Sequence, residues 1–171
     1  MTPIDLVHIF NVSIDEYIKI IFEPAEEEIN DLTELPNVKE REEIERYEDE
    51  KIVRTKVRYS AMGFIPPPIR KYLKPHMLSW IEHSTWYKAE RCWDWYIEPH
   101  FFKEIITCKG KMSLHEDGTQ KTKRITSGHL NIRIPVVGQM AENLIVTELK
   151  KNFDKEYRMF NQMLKRTGRI K

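Results

Sequence analysis

The amino-acid sequence predicts an α+β fold in which a curved, seven-stranded antiparallel sheet, with two short helices after strand 1, is wrapped round one long C-terminal helix. Three observations lead there. Apolar side chains at Val137, Ala141, Leu144, Ile145, Leu149, Phe153, Tyr157, Phe160 and Leu164 recur in steps of three and four, one face of a helix over residues 136–166. At ~1.5 Å rise per residue this helix extends about 45 Å, enough to cross a small domain. Residues 38–134 read as runs of strand separated by turn residues, the pattern of successive hairpins. No linker, repeat or low-complexity tract divides the 171 residues, so residues 1–171 are expected to form one domain. A long terminal helix laid over a strand-rich body needs a curved sheet to receive its apolar face, and such a fold often leaves a cavity for a ligand between the two.

The elements follow in order. Residues 4–10 form a first strand. Ser13 stands three residues before Glu16, a capping-box spacing that opens a helix to about Ile21. Pro24 starts a second short helix, and Glu26, Glu27 and Glu28 read as its solvated first turns, where the helix dipole favours negative charge. Residues 38–48 and 51–60 form a hairpin turning at Asp49-Glu50, with Glu45 facing Arg54, Glu43 facing Lys56, and Ile44, Val53, Val57 and Tyr59 on the other face. Three consecutive prolines make 62–75 a connection, with one helical turn at Ile69–Leu73. Strands at 78–89 and 91–98 hold all four tryptophans; alternation turns Trp93, Trp95 and Ile97 inward, whereas Trp80 and Trp86 share one face of the earlier strand and Ile81 and Tyr87 the other. The last hairpin, 102–116 with 119–134, turns at Asp117-Gly118, and a bulge near Gly128 would reconcile Ile125 with Leu130, Ile132 and Ile134.

Composition narrows the function classes. Hydrophobic residues at 40% and aromatics at 11% fit a globular chain, and a formal net charge of +1 carries no global nucleic-acid signal. No stretch approaches the ~18 apolar residues of a membrane span. The first residues lack a basic n-region and place Asp5 in the apolar run, so no signal peptide is expected and the chain reads as cytoplasmic, with peripheral membrane contact left open. Cys92 and Cys108 form no C-x-x-C and read as buried free thiols. The six histidines show no metal spacing, and the serines no nucleophile-elbow context, so no metal, cofactor or catalytic residue is nominated.

The element order, closed by NIRIPVVGQMAENLIVTELKKNF, resembles the START/polyketide-cyclase-like superfamily (SRPBCC, the helix-grip fold) over essentially the whole chain, with Gly128, Ile134, Pro135 and Gly138 marking the start of the long helix. The resemblance is nearest to poorly characterised bacterial members. It implies an internal cavity for an apolar ligand, in a superfamily that includes lipid-transfer proteins, quinone-binding proteins, polyketide cyclases, hormone receptors and chaperone activators, so the fold sets the pocket and leaves its contents open. The expected function is therefore binding or transfer of a lipid or other hydrophobic small molecule. The alternatives are a cyclase- or hydrolase-like enzyme in the same cavity, which needs polar residues converging there (His83 with Glu82 or Asp94), and a chaperone-activator-like module with a filled core.

The residues expected to line the cavity are Val53, Val57, Tyr59, Trp80, Trp93, Trp95, Ile97, Met112, Met140 and Leu144. Met62, Phe64, Ile65, Pro66, Ile69, Arg70 and Lys71 form the candidate lid: apolar side chains on a connection flanked by cations either gate the cavity at a membrane surface or plug the open end of the sheet. The basic tail, Lys165 to Lys171, either contacts phosphates or solubilises the terminus. No nucleic-acid partner is expected, and the pattern sets no oligomeric state.

Overall fold

The computed structural model describes residues 1–171 apart from 35, 36, 63, 64, 66, 68, 69, 73 and 171. In chain order the elements are β1 (Thr2–Phe10), α1 (Ile14–Phe22), α2 (Glu26–Thr33), β2 (Val38–Glu48), β3 (Ile52–Ala61), a 3-10 turn (Pro75–Met77), β4 (Ser79–Tyr87), β5 (Cys92–Pro99), β6 (Ile106–Glu116), β7 (Thr122–Ile132) and α3 (Gly138–Arg166). The strands form one antiparallel sheet in the order β1-β7-β6-β5-β4-β3-β2, curved around the long C-terminal helix. This is the helix-grip architecture expected from the resemblance.

Local chemistry sets the boundaries. The Ser13 hydroxyl accepts the Glu16 N–H at 3.2 Å and opens α1. α3 begins where the chain presses back on β7: a Cβ at Gly138 would lie 2.2 Å from the Ile132 carbonyl oxygen, so only glycine fits. One turn later the buried Glu142 accepts the Ile132 N–H at 2.7 Å and the Thr2 hydroxyl at 2.8 Å, which ties the helix to β7 and β1 together.

α3 packs chiefly on β1 and β7. The apolar interior separates into two clusters. One joins Phe10, Tyr17 and Ile20 to Trp86, Leu114, Phe160 and Leu164, beneath α1 and the C-terminal half of α3. The other joins Ile4, Ile65, Cys108, Leu130 and Ile132 to Ala141 and Val146, beneath the N-terminal half of α3.

Four expectations change. The β2–β3 hairpin turns through three residues, because the Asp49 carboxylate accepts the N–H groups of Lys51 (2.7 Å) and Ile52 (2.9 Å). Relative to the expected register the pairs next to the turn move by two residues, to Glu45 with Lys56, and those beyond the break at Ile44 by one, to Glu42 with Arg58, and the Ile44 side chain is exposed. There is no bulge at Gly128: β6 and β7 pair in continuous register, and Ile125 stays on the outer face opposite Val7. Glu28 is not solvated. It is fully buried and paired with Arg169 at 3.0 Å; burial opposes ionisation, but that guanidinium and the Ala25 N–H hold its carboxyl below the usual range. The basic tail folds back, with Arg166 on Asp31 and Arg169 on Glu16 and Glu28, and so latches α3 to α1 and α2.

Candidate functional site

In an antiparallel sheet, residues directly opposite share a face, so the register defines the concave side strand by strand. One row crosses it as Val57, Glu82, Ile97, Cys108 and Leu130. The next is Thr55, Ser84, Trp95, Gly110, Gly128 and Ile4. This settles the phase of β4: Trp80, Glu82, Ser84 and Trp86 face inward, so all four tryptophans line the concave side. Glycine is required where Trp95 lies, because a Cβ at Gly110 would come 2.6 Å from its indole and 2.1 Å from the Ser127 carbonyl, and one at Gly128 would come 2.9 Å from the indole.

Since α3 covers the β1–β7 side, the inward side chains of β4 and β5 are mostly half-buried rather than sealed. Polar side chains stand among the apolar ones on this face and are called the polar band: Thr55 and Ser84, 3.4 Å apart, Glu82 in the adjoining row, and Thr126 and Arg124 on β7, the last bonded to Glu156 of α3. Glu82 is its distinctive member. Packing around its carboxyl disfavours the charged form and pushes the pKa up to about 7; Arg41 works against the rise and Glu156 adds to it. Burial, with Glu82 adding to it, also raises the Tyr59 phenol and pushes the Cys108 thiol up to about 12. Tyr59 stacks on Trp80 at 5.5 Å and carries the Arg41 guanidinium at 6.0 Å over its ring.

The other side of the band is a paired cation. Arg124 is buried, donates to the Tyr17 hydroxyl and the Glu156 carboxylate at 3.2 Å each, and lies 5.0 Å over the Phe10 ring. Burial opposes its charge, but Tyr17 and Glu156 outweigh that and keep the guanidinium ionised. His8 stacks on Tyr157 at 4.9 Å and meets Asp154 at 3.0 Å. Two buried atoms in this region, Arg124 Nε and Thr126 Oγ1, have no hydrogen-bond partner among the described residues.

Of the residues expected to line the cavity, Val57, Tyr59, Trp80, Trp95, Ile97 and Met112 lie on the concave face around this band. Val53 and Trp93 belong to the packed end under α1, Trp93 lying 4.0 Å from Trp86 and 6.1 Å from Phe22 between ring centroids. Leu144 is half-buried on α3 and joins neither cluster. Met140 is a correction: it is 47% exposed, because the adjacent Ala141 takes the packed face of the helix. His83 and Asp94 are also corrected, since both stand on the convex face and do not converge with Glu82.

In the connection, Ile65 is buried in the second cluster, whereas Met62, Arg70 and Lys71 are exposed; Arg70 donates to the Ile65 carbonyl at 2.8 Å. Phe64, Pro66 and Ile69 lie outside the described residues. Among the described residues no His, Cys, Asp or Glu group is gathered to hold a metal, and no helix is long and apolar enough to cross a membrane. Arg124 and Thr126 had a signal in the sequence: an unbulged β7 puts both in phase with Leu130 and Ile132.

The family described as "Protein of unknown function (DUF2505)" matches residues 6–164. No curated protein matches in sequence. Among solved structures, TTHA0849 of Thermus thermophilus is similar with a TM-score of 0.68 and 14% identity, over 96% of this chain and 98% of that one. A START superfamily protein from Mycobacterium smegmatis has a TM-score of 0.58 at 16% identity, over 96% and 99% of the two chains. The Zhui aromatase/cyclase from a Streptomyces species has a TM-score of 0.56 at 10% identity, over 95% and 90%. The fold is that of the START/polyketide-cyclase-like superfamily.

Proposed function

The chain belongs to the DUF2505 family, and we propose that it binds a compact, mostly apolar, ring-containing molecule on the concave face, with one polar group of the ligand met by Glu82. The observation behind this reading is an inward carboxyl that no cation contacts among the described residues, set among Tyr59, Trp80 and Ile97, on a face where Thr126 Oγ1 and Arg124 Nε likewise have no hydrogen-bond partner among those residues. Burying ~200 Å² of ring surface would favour binding by about 5 kcal/mol before ordering costs. A long acyl chain suits this interior less well, because Glu82, Thr55 and Ser84 set polar groups among the apolar side chains of the concave face. We therefore narrow the hydrophobic ligand to a small ring system rather than a lipid carried in transfer.

The four inward tryptophans make the test direct. Saturable quenching of their fluorescence by 2-naphthol, about tenfold tighter than by naphthalene, is the expected result, with the difference lost in Glu82→Ala. Equal affinity for the two probes, or tighter binding of myristate than of 2-naphthol, would overturn the reading.

A second reading rests on the same carboxyl. A group with a pKa of about 7 gives and takes protons readily near neutral pH, which is what acid–base catalysis in a cyclase-like cavity needs, and the similar fold of an aromatase/cyclase supports it as a class. Under that reading Glu82→Gln keeps 2-naphthol binding and abolishes turnover of an added polyketide-like substrate. Turnover retained in Glu82→Gln would dismiss it.

A further inference from the structure

The convex face carries a different chemistry. Lys56, His83, Tyr96, Lys109 and His129 stand directly opposite one another on β3, β4, β5, β6 and β7, so one rung crosses five strands with two lysines, two histidines, a tyrosine and no carboxylate. Beside this rung Arg54 adds a cation, and Asp94 is the single carboxylate among the described residues lining the hollow they share. That hollow is an open trough of about 650 Å³, floored at Ser84 and Gly110, whose side-chain positions belong to the concave face. Its size lies within the ~300–1,000 Å³ of small-molecule sites.

The trough is unevenly neutralised. Lys56 is paired with Glu45 at 2.5 Å and His83 with Glu98 at 2.9 Å. Lys109 and His129, adjacent across β6 and β7, have no hydrogen-bond or ion-pair partner among the described residues. An anion held between them would be met by the Lys109 ammonium and by an imidazole N–H of His129. One strand away the Tyr96 ring, 48% exposed, stacks on His83 at 4.2 Å and 9°, a rigid flat platform. Strands lie ~4.8 Å apart, so Lys109 and His129 are separated from the platform by about one to two strand spacings, which a mononucleotide-sized molecule spans.

We propose that this trough binds a soluble phosphate monoester joined to a flat ring, with the phosphate between Lys109 and His129 and the ring against the Tyr96–His83 pair. The site is on the opposite face from the concave band and is independent of the function proposed there. Adenosine monophosphate is a suitable probe, followed by amide NMR with adenosine and inorganic phosphate as its separate halves.

The expected result is saturable shifts at convex residues of β5, β6 and β7, with each half binding about tenfold more weakly than the whole. Lys109→Glu should weaken binding about tenfold, whereas Lys111→Glu, the same charge change on the same strand but outside the trough, should weaken it less than ~3-fold. Both variants must keep the wild-type spectral dispersion. An absence of saturable shifts, equal weakening by the two substitutions, or inorganic phosphate binding as tightly as the nucleotide would overturn the proposal. So would tighter binding of a hexa-adenylate by more than about tenfold, which would make a nucleic-acid strand the occupant.

Discussion

Glu82 and Glu98 stand on neighbouring strands, one on each face of the same sheet, and the sheet treats them in opposite ways. Inside, Glu82 has lost hydration without gaining a contacting cation, and its carboxyl is pushed up to about 7. Outside, Lys103 at 2.6 Å and His83 at 2.9 Å hold Glu98 below the usual carboxylate range. Glu28 completes the comparison: it is fully buried, yet its contact with Arg169 keeps it low. Partnering, more than depth, decides which carboxylate stays charged. Among the described residues the concave face therefore holds a carboxyl without a contacting cation, and the convex face holds two basic side chains, Lys109 and His129, without a contacting carboxylate.

The largest way to break this contrast is to remove the seat of Trp95 on the concave side. Gly110→Ala places a Cβ 2.1 Å from a backbone oxygen that cannot step aside. We expect a loss of ~3 kcal/mol, seen in thermal unfolding as a fall in Tm of ~6–12 °C. Next in size, Arg169→Ala leaves the buried Glu28 carboxyl without its contacting cation, with only the more distant Arg166 to favour its charge. Stability at neutral pH should fall by about 2 kcal/mol in denaturant titrations, and the deficit should shrink as the pH drops and Glu28 protonates. A deficit unchanged at low pH would mean that Arg169 acts through packing rather than charge. The smallest effect is on the wet face. Glu98→Gln should cost less than ~1 kcal/mol at pH 7, because its Lys103 partner is exposed and the pair is screened by solvent, and the difference should vanish as the pH falls through the depressed Glu98 range.

Much of the architecture was legible in the sequence because period and turn chemistry are local. The four-residue spacing of Ala141, Ile145 and Leu149 places α3, and Ser13 marks the start of α1. The β2–β3 register was not legible, since it depends on which N–H groups the Asp49 carboxylate reaches and on the break at Ile44, which together displace the pairs by two residues near the turn and by one beyond it. The polar band was only partly legible. Glu82 was weighed beside His83, its neighbour in sequence, but adjacent strand residues point to opposite faces and cannot meet. Arg124 and Thr126 were hidden by an expected bulge that the continuous β6–β7 register does not contain. Glu156 reaches the band only through the packing of α3 on β1 and β7, which no local pattern encodes.

The account stands on the unpartnered state of Glu82, and unfolding stability of the wild type and Glu82→Gln between pH 4 and pH 8 tests it most directly. A folded pKa above the ordinary 4.5 means that the native state holds its proton longer than the unfolded chain, so Glu82 costs stability as the pH rises through about 7. The account predicts equal stability of the two proteins near pH 4 and an advantage for Glu82→Gln that grows to about 3 kcal/mol at pH 8. A difference that stays flat with pH, or a variant less stable than the wild type at pH 8, would contradict it.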